Sequence, residues 1–130
     1  MPILLSLFLA TSSLQTGQYI QMLPEQVVLD LPVSSSTIES LIDFDSMFYN
    51  VNPSLVRGIV KRESNFNQYA VGDHGTSFGL VQLHDIASKG ITLTEAYSPI
   101  YAINYLTSQL AAGRGSQWST YKAALASLSP

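Results

Sequence analysis

A small, mainly α-helical domain is the fold this sequence predicts, and three observations predict it. Apolar residues recur at helix spacing in separate stretches between Thr37 and Pro130. Capping residues or a proline open several of these stretches, and glycines follow the longest one. The one glycine-dense region, Gly72 to Gly79, leaves room for a loop or a short hairpin beside the helices. Composition agrees, because 130 residues with 46% hydrophobic and 12% charged side chains provide an ample core for one domain and too little charge for a disordered chain.

Taken in order, residues 1–13 read as a secretory signal: Met1 to Ala10 is apolar and runs into the small residues Thr11-Ser12-Ser13. No Lys or Arg precedes the apolar run, and the alternative is the first segment of a cytoplasmic or virion protein. The run is too short for a comfortable membrane span. Residues 14–36 are rich in Gln, Ser, Thr and Pro and read as a linker or arm. The domain proper is expected over 37–130. Its first helix carries Ile38, Leu41, Ile42, Phe48 and Tyr49 behind a Ser36 or Thr37 cap. A second runs over 53–64, with Asn52 as its cap and Pro53 in its first turn. Gly79 to Ala87 reads as a short helix, with a brief extended or hairpin segment around 71–82 as the alternative. Ser98-Pro99 then opens a longer helix through about Ala112, which Gly113 and Gly115 end. Trp118, Tyr121, Leu125 and Leu128 mark a final amphipathic helix.

Glu63 stands out within the second helix. At roughly 100° per residue, Leu55, Val56, Ile59 and Val60 form one apolar stripe and Glu63 falls near its middle, whereas Arg57 and Lys61 fall away from it. A carboxyl there is desolvated, and it lies in the last turn, where the helix dipole disfavours negative charge. Both effects favour a carboxyl that keeps its proton and can donate it near neutral pH. The competing reading is a helix-end glutamate paired with Lys61 or Arg62.

After Glu63 come Ser64-Asn65-Phe66-Asn67, Ala70, and then Gly72-Asp73-His74-Gly75-Thr76-Ser77-Phe78-Gly79-Leu80-Val81-Gln82. This succession resembles the lysozyme-like lytic transglycosylases, whose pattern runs Glu-Ser, a Phe-Asn-like step, an Ala, a glycine loop and Gly-Leu-Met-Gln. The loop Gly72-Asp73-x-Gly75-x-x-Phe78-Gly79-Leu80-x-Gln82 is closer still to the goose-type lysozymes of the same superfamily. Looser matches follow at Ser98-Pro99 through Leu106 and at Trp118 to Tyr121, so the resemblance covers most of 37–130. It implies a small lysozyme-like helical fold that cleaves the β-1,4 bond between N-acetylmuramic acid and N-acetylglucosamine in peptidoglycan. Glu63 would protonate the glycosidic oxygen and then, ionised, take the proton of the muramoyl 6-hydroxyl to give a 1,6-anhydro end. A goose-type hydrolase would add Asp73 as a second carboxylate that positions water. The second acidic position of that branch falls on His84, with Asp85 one step later.

Ser64 accompanies the acid in the family, and Gln82 would reach into the glycan cleft with its amide. Tyr105 and Tyr121 are the aromatic candidates for the cleft. Gly72, Gly75 and Gly79 shape the loop. No cofactor is expected and no metal, since His74, His84, Asp73 and Asp85 fit no recognised ligand spacing and cysteine is absent. A Ser-His-Asp hydrolase is unsupported because no Gly-x-Ser-x-Gly turn is present. Residues 1–56 hold five acids and no Lys or Arg, whereas 57–130 hold six bases and four acids, a net charge of +2. That half tolerates an anionic wall polymer but is too weakly basic for nucleic acid. The expected protein is a monomer that acts on peptidoglycan glycan strands and is secreted, periplasmic or wall-associated, or carried in a phage virion. The rivals from other classes are a peptidoglycan-binding or virion structural module without activity and a helical interaction protein.

Overall fold

The computed structural model describes residues 32–128, so the leader and most of the expected arm lie outside the described residues. Helix α1 spans Ser35–Tyr49 and α2 spans Pro53–Ser64. Three two-residue strands follow: β1 Val71–Gly72, β2 Ser77–Phe78 and β3 Leu83–His84. Then come α3 Leu93–Tyr97, α4 Pro99–Ala111, a 3₁₀ turn Gly115–Gln117 and α5 Tyr121–Ala126. The molecule is mostly helical with one small antiparallel sheet of order β1-β2-β3, as a lysozyme-like domain requires.

Most helix limits follow local chemistry. Asn52 accepts from the Ser54 amide and Pro53 occupies the first turn of α2, while Ser98 caps α4 through the Tyr101 amide. The cap of α1 is Ser34, whose side chain accepts from the Thr37 amide, and not Ser36 or Thr37. In a run of three serines, register is decided by which side-chain oxygen meets a free amide, and composition does not resolve it. Ile38 and Ile42 of α1 are buried, but Phe48 is 71% exposed together with Phe44 and Met47. Helix α3 was not anticipated, although Thr92 and Glu95 form a capping box that is visible as Thr-x-x-Glu. Likewise Trp118 lies before α5 and outside any helix.

The core gathers Ile38 and Ile42 of α1, the stripe Leu55, Val56, Ile59 and Val60 of α2, Leu80 and Val81 of the sheet loop, and Ala102, Ile103 and Leu106 of α4. Helix α1 packs on α2 and α4, and α2 packs on α5. Gln68, buried and unremarked in the sequence, ties distant parts together: its Oε1 accepts from the Val33 amide at 2.7 Å and its Nε2 donates to the Tyr97 carbonyl at 3.3 Å. Trp118 Nε1 donates to the Val81 carbonyl at 2.8 Å, which joins the chain before α5 to the sheet loop.

The segment 79–87 is not a helix. Gln82 and Asp85 take φ of 50° and 54°, and Gly79 takes 85°. Left-handed residues at that density break any α-helix, and the chain instead turns from β2 into β3. Ser77 thereby pairs with His84, and Phe78 with Leu83, across β2 and β3.

Candidate active site

Helix α2 delivers Glu63 to a hollow of about 260 Å³, which Asp73, Ser77, Gln82, His84, Gln117, Trp118 and Ser119 also line. The helix ends one residue later because Asn65 adopts φ 52° and its amide closes on the Lys61 carbonyl. Phe66 follows at φ 64°, turning the chain sharply out of the helix. Glu63 is half-buried and makes no ion pair among the described residues. Arg62 donates instead to the Gly58 carbonyl and Lys61 to the Asn65 side chain, so the two neighbouring bases are occupied elsewhere. Burial raises the Glu63 carboxyl above its ordinary range, a hydrogen bond from Thr120 opposes the rise, and the charge of Asp73 adds to it.

That hydrogen bond runs from Thr120 Oγ1 to Glu63 Oε2 at 2.5 Å. Thr120 was not singled out in the sequence. Its partner is 57 positions away, and no local pattern announces a contact between the end of α2 and the residue before α5.

Asp73 reaches the same hollow from the β1–β2 turn. Asp73 and His74 take φ of 51° and 59°, with the Gly75 amide bonded to the Gly72 carbonyl at 3.0 Å. These left-handed residues lie in the four-residue loop 73–76 that joins Gly72 to its strand partner Ser77, and Asp is among the few non-glycine residues that tolerate such a φ. Ser77, 1% exposed, donates to Asp73 Oδ2 at 2.5 Å. With that proton committed, His84 Nδ1, 3.1 Å from Ser77 Oγ, must be the donor there. A chain of hydrogen bonds thus runs from His84 through Ser77 to Asp73, resting on the cross-strand pairing of Ser77 with His84.

Gln82 lines the hollow but its amide nitrogen is spent, donating to the carbonyls of Ala70 and Gly79 at 3.1 Å each. Only its oxygen is left for a ligand, so it offers an acceptor and no donor. A Cβ at Gly72 would stand 2.2 Å from Gln82 Oε1 and displace that side chain, whereas Gly79 is needed because a Cβ would stand 2.0 Å from the Ala96 carbonyl oxygen. Gly75 holds φ 88° in open space. Tyr105 lines an adjoining hollow with Trp118. Ser64 and Tyr121 line neither: the Ser64 hydroxyl bonds back to the Val60 carbonyl, and the Tyr121 ring packs over Gly115.

The half-buried Glu63 and the carboxyl of Asp73 thus line one open hollow. The model of the transglycosylase SLT domain matches residues 40–126, from the first turns of α1 to the end of α5. The chain belongs to the transglycosylase SLT domain family. No solved structure matches it. SLT domains are lytic transglycosylases, which places this chain among the enzymes that degrade peptidoglycan. Among the described residues no helix is long and apolar enough to cross a membrane.

Proposed function

We propose that this SLT domain cleaves the bond between N-acetylmuramic acid and N-acetylglucosamine with Glu63 as its single acid and base, leaving 1,6-anhydro ends. The observation that carries the reading is the state of Glu63: half-buried in the hollow, without an ion pair among the described residues, held toward its protonated form by burial, and hydrogen-bonded by Thr120. Such a carboxyl gives its proton to the glycosidic oxygen as positive charge grows at the anomeric carbon. Once ionised, it accepts the proton of the 6-hydroxyl as that oxygen closes on the same carbon. The bond to the leaving sugar breaks, the anhydro bond forms, and Glu63 regains its proton. Stabilisation of the positive centre falls to the substrate's N-acetyl group, which removes the need for a nucleophilic carboxylate. Gln82 Oε1 and the aromatic ring of Tyr105 are the glycan contacts on this reading. Ser64 and Tyr121 act at one remove, through the end of α2 and the packing before α5.

A goose-type hydrolysis with Asp73 as base is the second reading, favoured by one observation: Asp73 shares the hollow and its charge reaches Glu63. Against it, Asp73 is engaged by Ser77, and a histidine stands at the branch's further acidic position. The protein would meet its substrate at the wall, after export through a leader at 1–13 or as part of a virion. Mass spectrometry of fragments released from purified peptidoglycan tests the proposal. Anhydromuropeptides from the wild type and none from Glu63→Gln are expected; reducing ends support hydrolysis instead. Lysis by Glu63→Gln within a few fold of wild type removes Glu63 from the mechanism.

A further inference from the structure

The groove does not end beside Glu63. A second hollow of about 240 Å³ shares Gln82, His84, Gln117 and Trp118 with the first and adds Tyr105 and Lys89, so the two form one continuous surface. Among the described residues Lys89 is the only Lys or Arg lining either hollow, and no acid among them pairs with it. Its Nζ is anchored by donating to the His84 carbonyl at 2.6 Å, which leaves two N–H groups for a ligand. Around it the chemistry suits a sugar. The Tyr105 and Trp118 rings meet edge to face at 6.3 Å, and Gln117 is held by its amide nitrogen on Gln109 and the Arg114 carbonyl, so its oxygen remains as an acceptor. A neutral sugar needs no cation in such a place. An anionic substituent does.

We infer that Lys89 makes this second hollow selective for a glycan unit that bears a carboxylate, binding that group beside the cleaved bond. The inference rests on the peptidoglycan reading above. In peptidoglycan the carboxylate has two sources: the lactyl group of muramic acid where no peptide is attached, and the stem peptide where one is. Either can accept from an ammonium group, and the linker length between sugar ring and carboxylate separates them. Lys89→Gln is the informative change, because its amide can still donate to the His84 carbonyl while the charge is lost.

Trp118 lines both hollows and is the only tryptophan, so its fluorescence reports occupancy in a Glu63→Gln background that does not consume ligand. Three ligands are titrated: a peptide-free muramic-acid oligosaccharide, the same oligosaccharide carrying its stem peptides, and a neutral N-acetylglucosamine oligomer. Lys89→Gln is expected to weaken a carboxylate-bearing ligand about three- to fivefold, the upper range for a solvent-exposed ion pair. The neutral oligomer should be unaffected, Lys89→Arg should restore the loss, and added salt should shrink it. A loss confined to the peptide-free strand assigns the lactyl carboxylate, and one confined to the peptide-bearing strand assigns the stem. Equal effects on all three ligands, or none on any, overturn the role of Lys89 while leaving the glycan site in place. Failure of all three to bind the Lys89-containing protein overturns the peptidoglycan reading and this inference with it.

Discussion

Asp73→Asn separates the two chemistries open to this groove, and the structure sets the size of the effect. The turn is expected to survive, since Asn tolerates φ near 51° as well as Asp does. The Asn carbonyl oxygen can also take the proton that Ser77 now gives to Oδ2. What is lost is the charged character of one hydrogen bond, about 1 kcal/mol between the charged and neutral classes. Even if all of it reached the transition state, the rate would fall only about fivefold. Removing a general base costs roughly 100- to 10,000-fold. We therefore expect turnover on purified peptidoglycan to fall less than about tenfold, within the modest class, with anhydro products from both proteins. A second readout is independent of the first. The Asp73 charge helps keep Glu63 protonated, so the alkaline limb of the kcat/KM profile should move to lower pH in the variant. A loss of about 100-fold or more in a variant that melts normally, with reducing ends from the wild type, would refute this reasoning and establish Asp73 as the base.

Thr120→Val removes the one contact that favours ionised Glu63, so the alkaline limb should move to higher pH; a limb that stays in place would show that the hydroxyl does not act on the carboxyl. Burial makes Glu63 bind its proton more tightly folded than unfolded, so its ionised form costs stability above the raised folded value, and the cost vanishes below the ordinary value of 4.5. Glu63→Gln should therefore raise the Tm at pH 8, and by less near pH 4, as read by calorimetry. An equal shift at both pH values would refute that linkage. Gly79→Ala meets both a positive φ and the Ala96 carbonyl, and should lose about 3 kcal/mol or more in denaturant unfolding. Gly75→Ala, with a similar φ in open space, should lose only about 1–2 kcal/mol; equal losses would mean that the close approach at Gly79 carries no cost.

Much of this protein is legible residue by residue. Asn52-Pro53 starts α2, Ser98-Pro99 starts α4, and the stripe from Leu55 to Val60 places Glu63 at the edge of the core, because caps and helical periodicity act within a few positions of the chain. The family motif around Glu63 and Gly79 to Gln82 is equally local, and it pointed to the peptidoglycan-degrading class that the SLT match bears out. What only the tertiary structure decided was the company each residue keeps. Segment 79–87 became turns and a strand because Gln82 is held at positive φ, with its amide bonded to the distant Ala70 carbonyl as well as to Gly79. Glu63 found Thr120 across 57 positions, and its neighbouring bases were drawn to other acceptors. The Asp73, Ser77 and His84 chain needs the register of β2 against β3, and Lys89 joins the groove only because its own segment folds back on the His84 carbonyl. Spacing along a helix is set by covalent geometry and is written in the sequence, whereas a hydrogen bond between distant segments exists only after the core has closed and excluded the water that competed for it.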